Sequence, residues 1–517
     1  MLLRSLSFLT IFIYGFGECY KLLLFFNFPG GSHYILGEAL VNHLLEAGHE
    51  ITYVTRKPKQ NPPARLHQIH LTSDFEMRVP SDVVMASPKI TDNGKSIQPI
   101  LNLMLSGAKS ALLSEEIQNL ILDENQQFDA VIVEWMYTEV HAGLSAVFNC
   151  PLIWSSTMIP HSILLSAVGV EINPAYTVAE FISRKLQPLS FWDRIDELCL
   201  LLYSKYYRWK QSFLEAEVYY SAFKAAVEKR GRVLPSYFDA KYNASLILGN
   251  SHVSTSDGSQ LPLSYIPIGG YHINTTVEPL PRNLQEIMNN ATNGVIFFSM
   301  DSLLTSDHFP IIIKQSFADM FSTLNYTVLW KLDEGMSNSP KNVHVIKWAP
   351  QQSILAHPNC KLFITHGGLL SVTEAVHFAV PIIGLPVFGD QYNNVNRAVA
   401  RGYGIKVRFG YDCAAKVKEA ILEIMQNISY SKAAKAISFV YHHRPVSPAK
   451  ELVHWVEHVI NTNGAPHLRF QGLYVPWYQK LFLVVIATVL VTYLFIYGVV
   501  RYALSYRKNV DFKLKIN

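Results

Sequence analysis

The sequence predicts an α/β protein with two successive parallel-sheet domains and one membrane-spanning helix near the C-terminus. Apolar runs typical of buried parallel strands alternate with segments of helical periodicity, first over residues 20–254 and again over 285–440. A Pro-, Gly- and Ser-rich stretch at 255–284 separates the two patterns and predicts an interdomain linker. An uncharged apolar segment at 481–500 is long enough to cross a bilayer.

The first predicted domain opens with a βαβ unit. The apolar run YKLLLFFNF is followed by the glycine turn PGGSH, the helical pattern YILGEALVNHLLEAGHE and a second strand, ITYVT. Further strands are predicted at 130–135 and 151–156, with a helix over 136–147 between them. Residues 191–230 are long, amphipathic and aromatic, and they predict helices that cover a cleft.

The second predicted domain repeats this plan. The strand NGVIFFSM precedes a helix near 306–323, and the strands TVLWKL and NVHVIKW follow. The strand KLFITHGG then enters a glycine turn, a helix SVTEAVHFA and a strand VPIIGLP. Residues 441–475 are expected to form helices that pack back toward the first domain. Because ligands of open α/β sheets bind at the carboxyl ends of the strands, two such halves predict a bipartite binding cleft.

The composition excludes several classes of function. The 517-residue chain has a net charge of +4, which gives no reason to expect nucleic-acid binding. The five cysteines include no CxxC pair, so neither a zinc ribbon nor a disulfide scaffold is expected.

Two hydrophobic segments predict the compartment. Residues 1–19 combine one arginine, a short apolar run and a Gly-x-Cys ending, which is the anatomy of a signal peptide cleaved after Cys19; an uncleaved anchor is the alternative. The tail at 501–517 carries five basic residues against one acid, so it is expected in the cytoplasm and residues 20–475 in the lumen.

Short motifs agree with a lumenal, membrane-anchored protein. The chain ends KLKIN, with Lys513 and Lys515 placed as in the K-x-K-x-x retrieval signal of endoplasmic-reticulum membrane proteins; an ordinary basic stop-transfer tail is the alternative. Glycosylation sequons are permissible in a lumenal domain. They begin at Asn243, Asn274, Asn290, Asn325 and Asn427.

The most specific stretch is WAPQQSILAHPNCKLFITHGGLLSVTEAVHFAVPIIGLPVFGDQ, at residues 348–391. This block resembles the signature of UDP-glycosyltransferases of the two-Rossmann-domain (GT-B) class, and the resemblance extends over the rest of the chain. It is greatest to animal, and especially insect, members. The resemblance implies two Rossmann-like domains that face a cleft, and a C-terminal anchor. No DxD motif lies near the block, so no metal site is predicted.

The chemistry of a nucleotide sugar matches this block. Trp348 offers a flat surface for uracil, and the THGG turn offers backbone N–H groups at a helix N-terminus for the diphosphate. The resemblance implies that Gln351 and Glu374 bind the ribose hydroxyls. It implies further donor-binding residues, with His366 and Ser371 at phosphate, Asp390 and Gln391 at the sugar hydroxyls, and Ser299, Ser302, Ala349 and Gly368 elsewhere in the donor site. Asn394 and Arg397, just beyond, are interpreted as structural.

The catalytic prediction is a histidine base with a carboxylate partner. His33 follows PGGS at a predicted helix N-terminus, where the helix dipole favours the neutral imidazole. In the family the matching histidine is the base. Family members commonly carry Asp at the end of the FD-x-x-x-x-D pattern, whereas this chain reads FDAVIVE and places Glu134 there. Asp129, earlier in that segment, is expected to be structural.

The Glu134 departure and a second one, at Asp301, leave an alternative open, and a third departure, at Ala379, is milder. Asp301 stands in SMDS where the family has SLGS, and its carboxylate is expected to oppose diphosphate binding. Ala379 stands in AVP where the family prefers Gly. The leading hypothesis is an inverting enzyme that uses UDP-glucose, or alternatively UDP-glucuronate, as co-substrate and holds no permanent cofactor. Its acceptors would be small lipophilic phenols, steroids or xenobiotics. The alternative is a catalytically weak homologue that binds lipophilic ligands or forms heteromers.

Overall fold

The computed structural model describes most of the chain. The described residues are 18–72, 75, 97–178, 180–181, 183, 185, 187–256, 258, 260–274, 276–300, 310–334, 336, 339–480 and 482–514. Asp301, Ser302, Lys515 and nearly all of the predicted signal peptide lie outside them. The chain divides into two compact units, Met1–Leu468 and Arg469–Asn517.

The first sheet contains seven parallel strands among the described residues. These strands are β1 (Lys21–Phe25), β2 (Glu50–Thr55), β3 (Leu66–His70), β4 (Ala130–Glu134), β5 (Leu152–Ser156), β6 (Leu246–Gly249) and β7 (Tyr265–Pro267). Their spatial order is β3-β2-β1-β4-β5-β6-β7. The accompanying helices are α1 (Gly31–Glu46), α2 (Ile97–Leu112), α3 (Glu115–Leu122), α4 (Gly143–Phe148), α5 (Ser162–Ser166), α6 (Phe191–Lys229) and α7 (Tyr237–Ala240).

The second sheet contains six parallel strands among the described residues. These strands are β8 (Val295–Ser299), β9 (Thr327–Lys331), β10 (Val343–Ile346), β11 (Cys360–Thr365), β12 (Ile382–Gly384) and β13 (Gly404–Lys406). Their spatial order is β10-β9-β8-β11-β12-β13. The helices are α8 (Arg282–Asn290), α9 (Ile311–Ser322), α10 (Gln351–Ala356), α11 (Leu369–His377), α12 (Gln391–Ala400), α13 (Cys413–Gln426), α14 (Ile428–His442) and α15 (Pro448–Asn461).

Helices cover both faces of each sheet, which explains the continuous apolar runs in the sequence. In β1, Leu23 and Phe25 join one core cluster, and Leu22 and Leu24 join the cluster on the opposite face. Helix α15 belongs to that second cluster through Leu452, Val456 and Val459. The last helix of this unit therefore packs on the first domain, beside α1.

Both sheets share one topology, and this topology positions the site. The strand order reverses between β1 and β4 in the first sheet and between β8 and β11 in the second. Such reversals open a crevice at the carboxyl ends of the two strands concerned. His33 follows β1, Glu134 ends β4, Ser299 ends β8 and His366 follows β11. Four predicted site residues thus lie at the two crevices.

Several elements differ from the sequence-based expectations. The predicted linker at 255–284 contains β7, which pairs with β6 in the first sheet; three residues among prolines and glycines are too short a run to reveal a strand. The helices expected over 191–230 are one helix, α6, which begins with a capping box of Ser190 and Asp193. The helix expected over 136–147 begins only at Val140, as a short 3-10 turn that leads into α4.

The second unit contains the predicted membrane span. A short helix, α16 (Trp477–Lys480), precedes α17 (Leu483–Leu514). Within α17 the segment Leu483–Arg507 has a mean hydropathy of 2.5 and none of its apolar window is buried. By length and composition α17 is a candidate membrane span, and it extends past the predicted end at residue 500.

The Ala379 departure has a backbone explanation. Ala379 follows the C-terminus of α11 with φ of +57°, and Val380 N donates to Ala375 O at 2.9 Å, which is the helix-ending arrangement that favours glycine. Ala379→Gly should therefore raise the free energy of unfolding by about 0.5–1 kcal/mol. Thermal unfolding in detergent would measure this, with Ala436→Gly on the exposed face of α14 as a control that should lose about 1 kcal/mol. Equal losses in both variants would contradict the backbone explanation.

Candidate active site

The two predicted catalytic residues lie in contact. His33 is in the first turn of α1, and its Nδ1 is hydrogen-bonded to Oε1 of Glu134. The Glu134 side chain is fully buried, and its Oε2 accepts a 3.4 Å hydrogen bond from Phe28 N. The glutamate is thus fixed from two sides. The extra methylene relative to aspartate does not prevent the contact with the imidazole.

The loop before α1 holds the His33 ring in place. The ring packs against Phe28, with centroids 4.2 Å apart. A Cβ atom on Gly30 would lie only 2.6 Å from His33 Cδ2, so a side chain at this position would displace the imidazole. The His33 side chain retains 15% exposure, which leaves it accessible from the cleft.

The turn between β11 and α11 begins a helix whose N-terminus has no side-chain cap. Gly367 has φ of +87°, and Gly368 caps α11 without any side-chain hydrogen bond to the helix. The first-turn N–H groups therefore have no side-chain cap, which is the arrangement that binds phosphate. His366 is buried next to this turn, and a Cβ on Gly368 would come within 2.3 Å of His366 Nε2.

The predicted ribose-binding pair is also assembled. Gln351 Nε2 donates to Glu374 Oε2 at 2.6 Å and to Ser371 Oγ at 3.3 Å. Glu374 is buried, so its carboxylate requires partners. Two residues that the sequence reasoning missed lie against it, and Gln352 supplies a hydrogen bond. Gln352 Nε2 lies 3.2 Å from Glu374 Oε1 and His272 Nε2 lies 3.4 Å from it.

Asp390 and Gln391 differ in how many of their side-chain atoms already form hydrogen bonds within the protein. Gln391 Oε1 accepts from Val387 N at 2.8 Å and from Phe388 N at 3.1 Å, so only its amide nitrogen is left to reach a ligand. Asp390 Oδ2 accepts from Asn394 Nδ2 at 2.9 Å. Asn394 also donates to Gly367 O at 3.1 Å, so this predicted structural residue connects the Asp390 loop to the glycine turn before α11.

The remaining predicted donor residues occupy different environments. Trp348 is 77% exposed, so its ring face is open to a ligand, whereas Ala349 and Ser299 are buried. Arg397 lies on α12, one turn beyond Asn394. Asp129, predicted to be structural, accepts from Lys21 N at 2.7 Å through Oδ2 at the opposite, amino end of the strands.

The two domains meet at these residues. Burial raises the pKa of Asp390, whereas Asn394 and the charges of His366 and His33 lower it, which places this second-domain carboxyl within electrostatic reach of the first-domain histidine. Asn393 Nδ2 donates to Phe181 O of the first domain at 3.1 Å. The predicted base and the predicted donor residues therefore line one cleft.

The structure also describes the glycosylation sequons, the acidic and histidine residues that could bind metal, and the cysteines. The asparagines of all five sequons are exposed. Within the part of the chain that the structure describes, no group of three or more His, Cys, Asp or Glu residues is placed to hold a metal ion. The cysteines at 19, 150, 199, 360 and 413 are unpaired as disulfides.

Comparisons with known proteins agree on one family. The model of the family described as UDP-glucoronosyl and UDP-glucosyl transferase matches residues 29–516. A protein of Dactylopius coccus named UDP-glucosyltransferase 2 is 31% identical over 93% of this chain and 92% of its own. Human UDP-glucuronosyltransferase 3A1 is 26% identical over 87% of this chain and 86% of its own.

Solved structures share the fold. The calicheamicin glycosyltransferase CalG4 superposes with a TM-score of 0.56 at 16% identity, over 86% of this chain and 99% of its own. The spinosyn forosaminyltransferase SpnP gives a TM-score of 0.57 at 15% identity, over 86% of this chain and 100% of its own. Two parallel sheets with matching topology, a shared cleft and these matches lead to one conclusion: this chain is a GT-B enzyme that belongs to the UDP-glucuronosyl and UDP-glucosyl transferase family.

Proposed function

We propose that this protein is an inverting glycosyltransferase that moves a sugar, with UDP-glucose as donor, to the hydroxyl group of a small lipophilic acceptor. The observation that carries the proposal is the His33–Glu134 hydrogen bond at the crevice of the first sheet, opposite the open N-terminus of α11. UDP-glucuronate is the alternative donor, because the relatives include both glucosyl- and glucuronosyltransferases.

His33 acts as the general base in this proposal. With Nδ1 engaged by Glu134, the tautomer that donates from Nδ1 leaves a lone pair on Nε2. That nitrogen takes the proton of the acceptor hydroxyl as its oxygen attacks the anomeric carbon. Glu134 fixes the ring orientation and stabilises the imidazolium that forms, as the carboxylate does in a catalytic triad.

The second domain binds the leaving group. The bond from the anomeric carbon to the phosphate oxygen breaks as the new glycosidic bond forms, and negative charge develops on UDP. The N–H groups of the first turn of α11, together with His366 and Ser371, stabilise this charge. Trp348 stacks on the uracil, and Glu374 and Gln351 bind the ribose.

Asp390 orients the sugar. The charges of His33 and His366 both lower its pKa, so the carboxyl lies within electrostatic reach of the base and of the histidine proposed to bind phosphate, as a residue that orients the hexose should. Gln391 contributes its amide nitrogen as a donor. Of the two departures that favour a catalytically weak homologue, Glu134 supports catalysis instead, because it contacts His33 as a triad carboxylate would.

In this proposal the enzyme is anchored to a membrane by its C-terminal helix. The candidate span Leu483–Arg507 and the basic residues after it support a single-pass protein with its catalytic part in the lumen of the endoplasmic reticulum. Such a location suits acceptors that partition into lipid. Homo- or hetero-oligomers are compatible with this arrangement.

Turnover of labelled donors tests the function. The full chain in detergent should transfer radiolabelled glucose from UDP-glucose to members of a mixed phenol panel, and transfer from labelled UDP-glucuronate should be slower. Faster transfer from UDP-glucuronate would replace the donor assignment. Tight binding of UDP and phenols without transfer from either donor would support the catalytically weak homologue instead.

A further inference from the structure

A narrow cavity lies behind the proposed base in the first domain. Asn27, Phe28, Met104, Met136, Thr138 and His141 are among the residues that line it. Phe28 also packs on the His33 ring, so the cavity and the base are separated by one aromatic side chain. Its volume of about 10 Å³ accommodates one water-sized group. This is the size of a hydroxyl or carbonyl oxygen, and flexible methionines allow the walls to adapt.

His141 is the unusual residue of this cavity. Its side chain is only 2% exposed, and neither ring nitrogen has a hydrogen-bond partner among the described residues. Burial lowers the pKa of His141 to about 3, so the imidazole is neutral at physiological pH. A neutral imidazole carries one N–H donor and one acceptor nitrogen. The cavity wall therefore contains an unused donor and an unused acceptor.

Unpartnered polar groups are rare in protein interiors because each one destabilises the folded state. Two other buried histidines of this domain each have one hydrogen-bonded ring nitrogen, and in His161 Nδ1 accepts from Leu164 N at 3.4 Å. His49 is also fully buried, but its Nδ1 accepts a 3.3 Å hydrogen bond from Tyr20 N. Phe25 packs on the His141 ring, with centroids 5.0 Å apart, and fills one side of it without offering a polar partner. Leucine would suit this position better if packing were its only purpose.

We propose that His141 binds a second polar group of the acceptor, which rests on the acceptor site proposed above. The acceptor class is then a compact lipophilic molecule with two oxygen functions, one that receives the sugar at His33 and one, a hydroxyl or carbonyl, that enters the cavity and bonds to His141. Because the neutral ring both donates and accepts, either oxygen function fits. The apolar walls formed by Phe28 and the two methionines contact the carbon frame between the two oxygens.

Matched pairs of phenols test this inference. Each pair has the same shape and differs in one group, such as acetyl against isopropyl, placed meta or para to the hydroxyl. In the UDP-bound parent protein, calorimetry should show at least one polar member that binds about 10-fold more tightly than its apolar match. His141→Leu should abolish that preference and bind the apolar member at least as well. No preference in the parent over the whole series, or an unchanged preference in His141→Leu, would overturn the proposal.

Stability supplies a second readout that a purely structural histidine would not give. His141→Leu should leave the melting temperature unchanged or raise it, because an unpartnered polar group is removed. His49→Leu, the matched control, should lower the melting temperature and keep the acceptor preference. A lowered melting temperature in His141→Leu with the preference intact would identify a structural role and overturn the proposal. Binding is measured without turnover, so failure of the glycosyltransferase assay alone contradicts the proposed function and not the role of His141.

Discussion

Replacing His33 by alanine is expected to lower turnover by about 10²–10⁴-fold, the usual contribution of a general base. The physical reason is that no other described imidazole is held by a buried carboxylate at the carboxyl end of β1. UDP affinity should change little, because the donor residues belong to the second domain. Turnover and UDP binding should be measured separately, the first with labelled donor and the second by calorimetry.

His67→Ala is the matched control for this variant. His67 lies on β3 with a side chain that is 62% exposed, so its loss should leave both turnover and binding unchanged. Turnover of His33→Ala within a factor of about three of the parent would remove His33 from the mechanism, since this is far below the range for a base.

Glu134→Gln is expected to have the second largest effect. The amide keeps the size of the side chain but can present an N–H where the carboxylate accepted one, so it favours the wrong tautomer of His33 and cannot stabilise the imidazolium. We expect a loss of about 10²–10⁴-fold in turnover. The double variant with His33→Ala should be hardly worse than the more damaging single variant, because the two residues act as a unit.

Two further variants make this prediction specific to the dyad. Glu50→Gln, at a surface carboxylate that is about one-third exposed beside Lys21, should have no effect on turnover. Glu134→Asp retains the charge and should lose less than Glu134→Gln. A full loss in the aspartate variant together with normal activity in the glutamine variant would contradict the role given to the carboxylate.

The sequence predicted the larger features of the fold because burial determines them. Strands covered on both faces, such as β1 and β11, are continuous apolar runs, and both sheets were recognised from them. Strand β7 was not predicted, because a run of three residues is too short to show a periodicity. Helix α6 was not recognised as a single helix, because its apolar residues do not follow one narrow stripe.

The candidate site was predictable where spacing carries the information. His33 and Glu134 were identified through the family resemblance at the ends of two predicted strands, and the strand order explains why these ends lie side by side. The partners of Glu374 were missed: Gln352 is one residue beyond a predicted site residue, and His272 lies in a stretch interpreted as linker. No feature of the sequence singled out His141, because only the three-dimensional structure shows that its ring nitrogens are buried without hydrogen-bond partners.

The anomeric configuration of the product tests the central claim most directly. In the proposed mechanism the acceptor oxygen, deprotonated by His33, displaces UDP in a single step from the opposite side of the sugar ring. UDP-glucose is an α-glycoside, so the account predicts a β-glucoside, which proton NMR of the freshly formed product identifies from the coupling of the anomeric proton. An α-glucoside would show retention, and it would contradict both the single displacement and the role of the His33–Glu134 pair as its base.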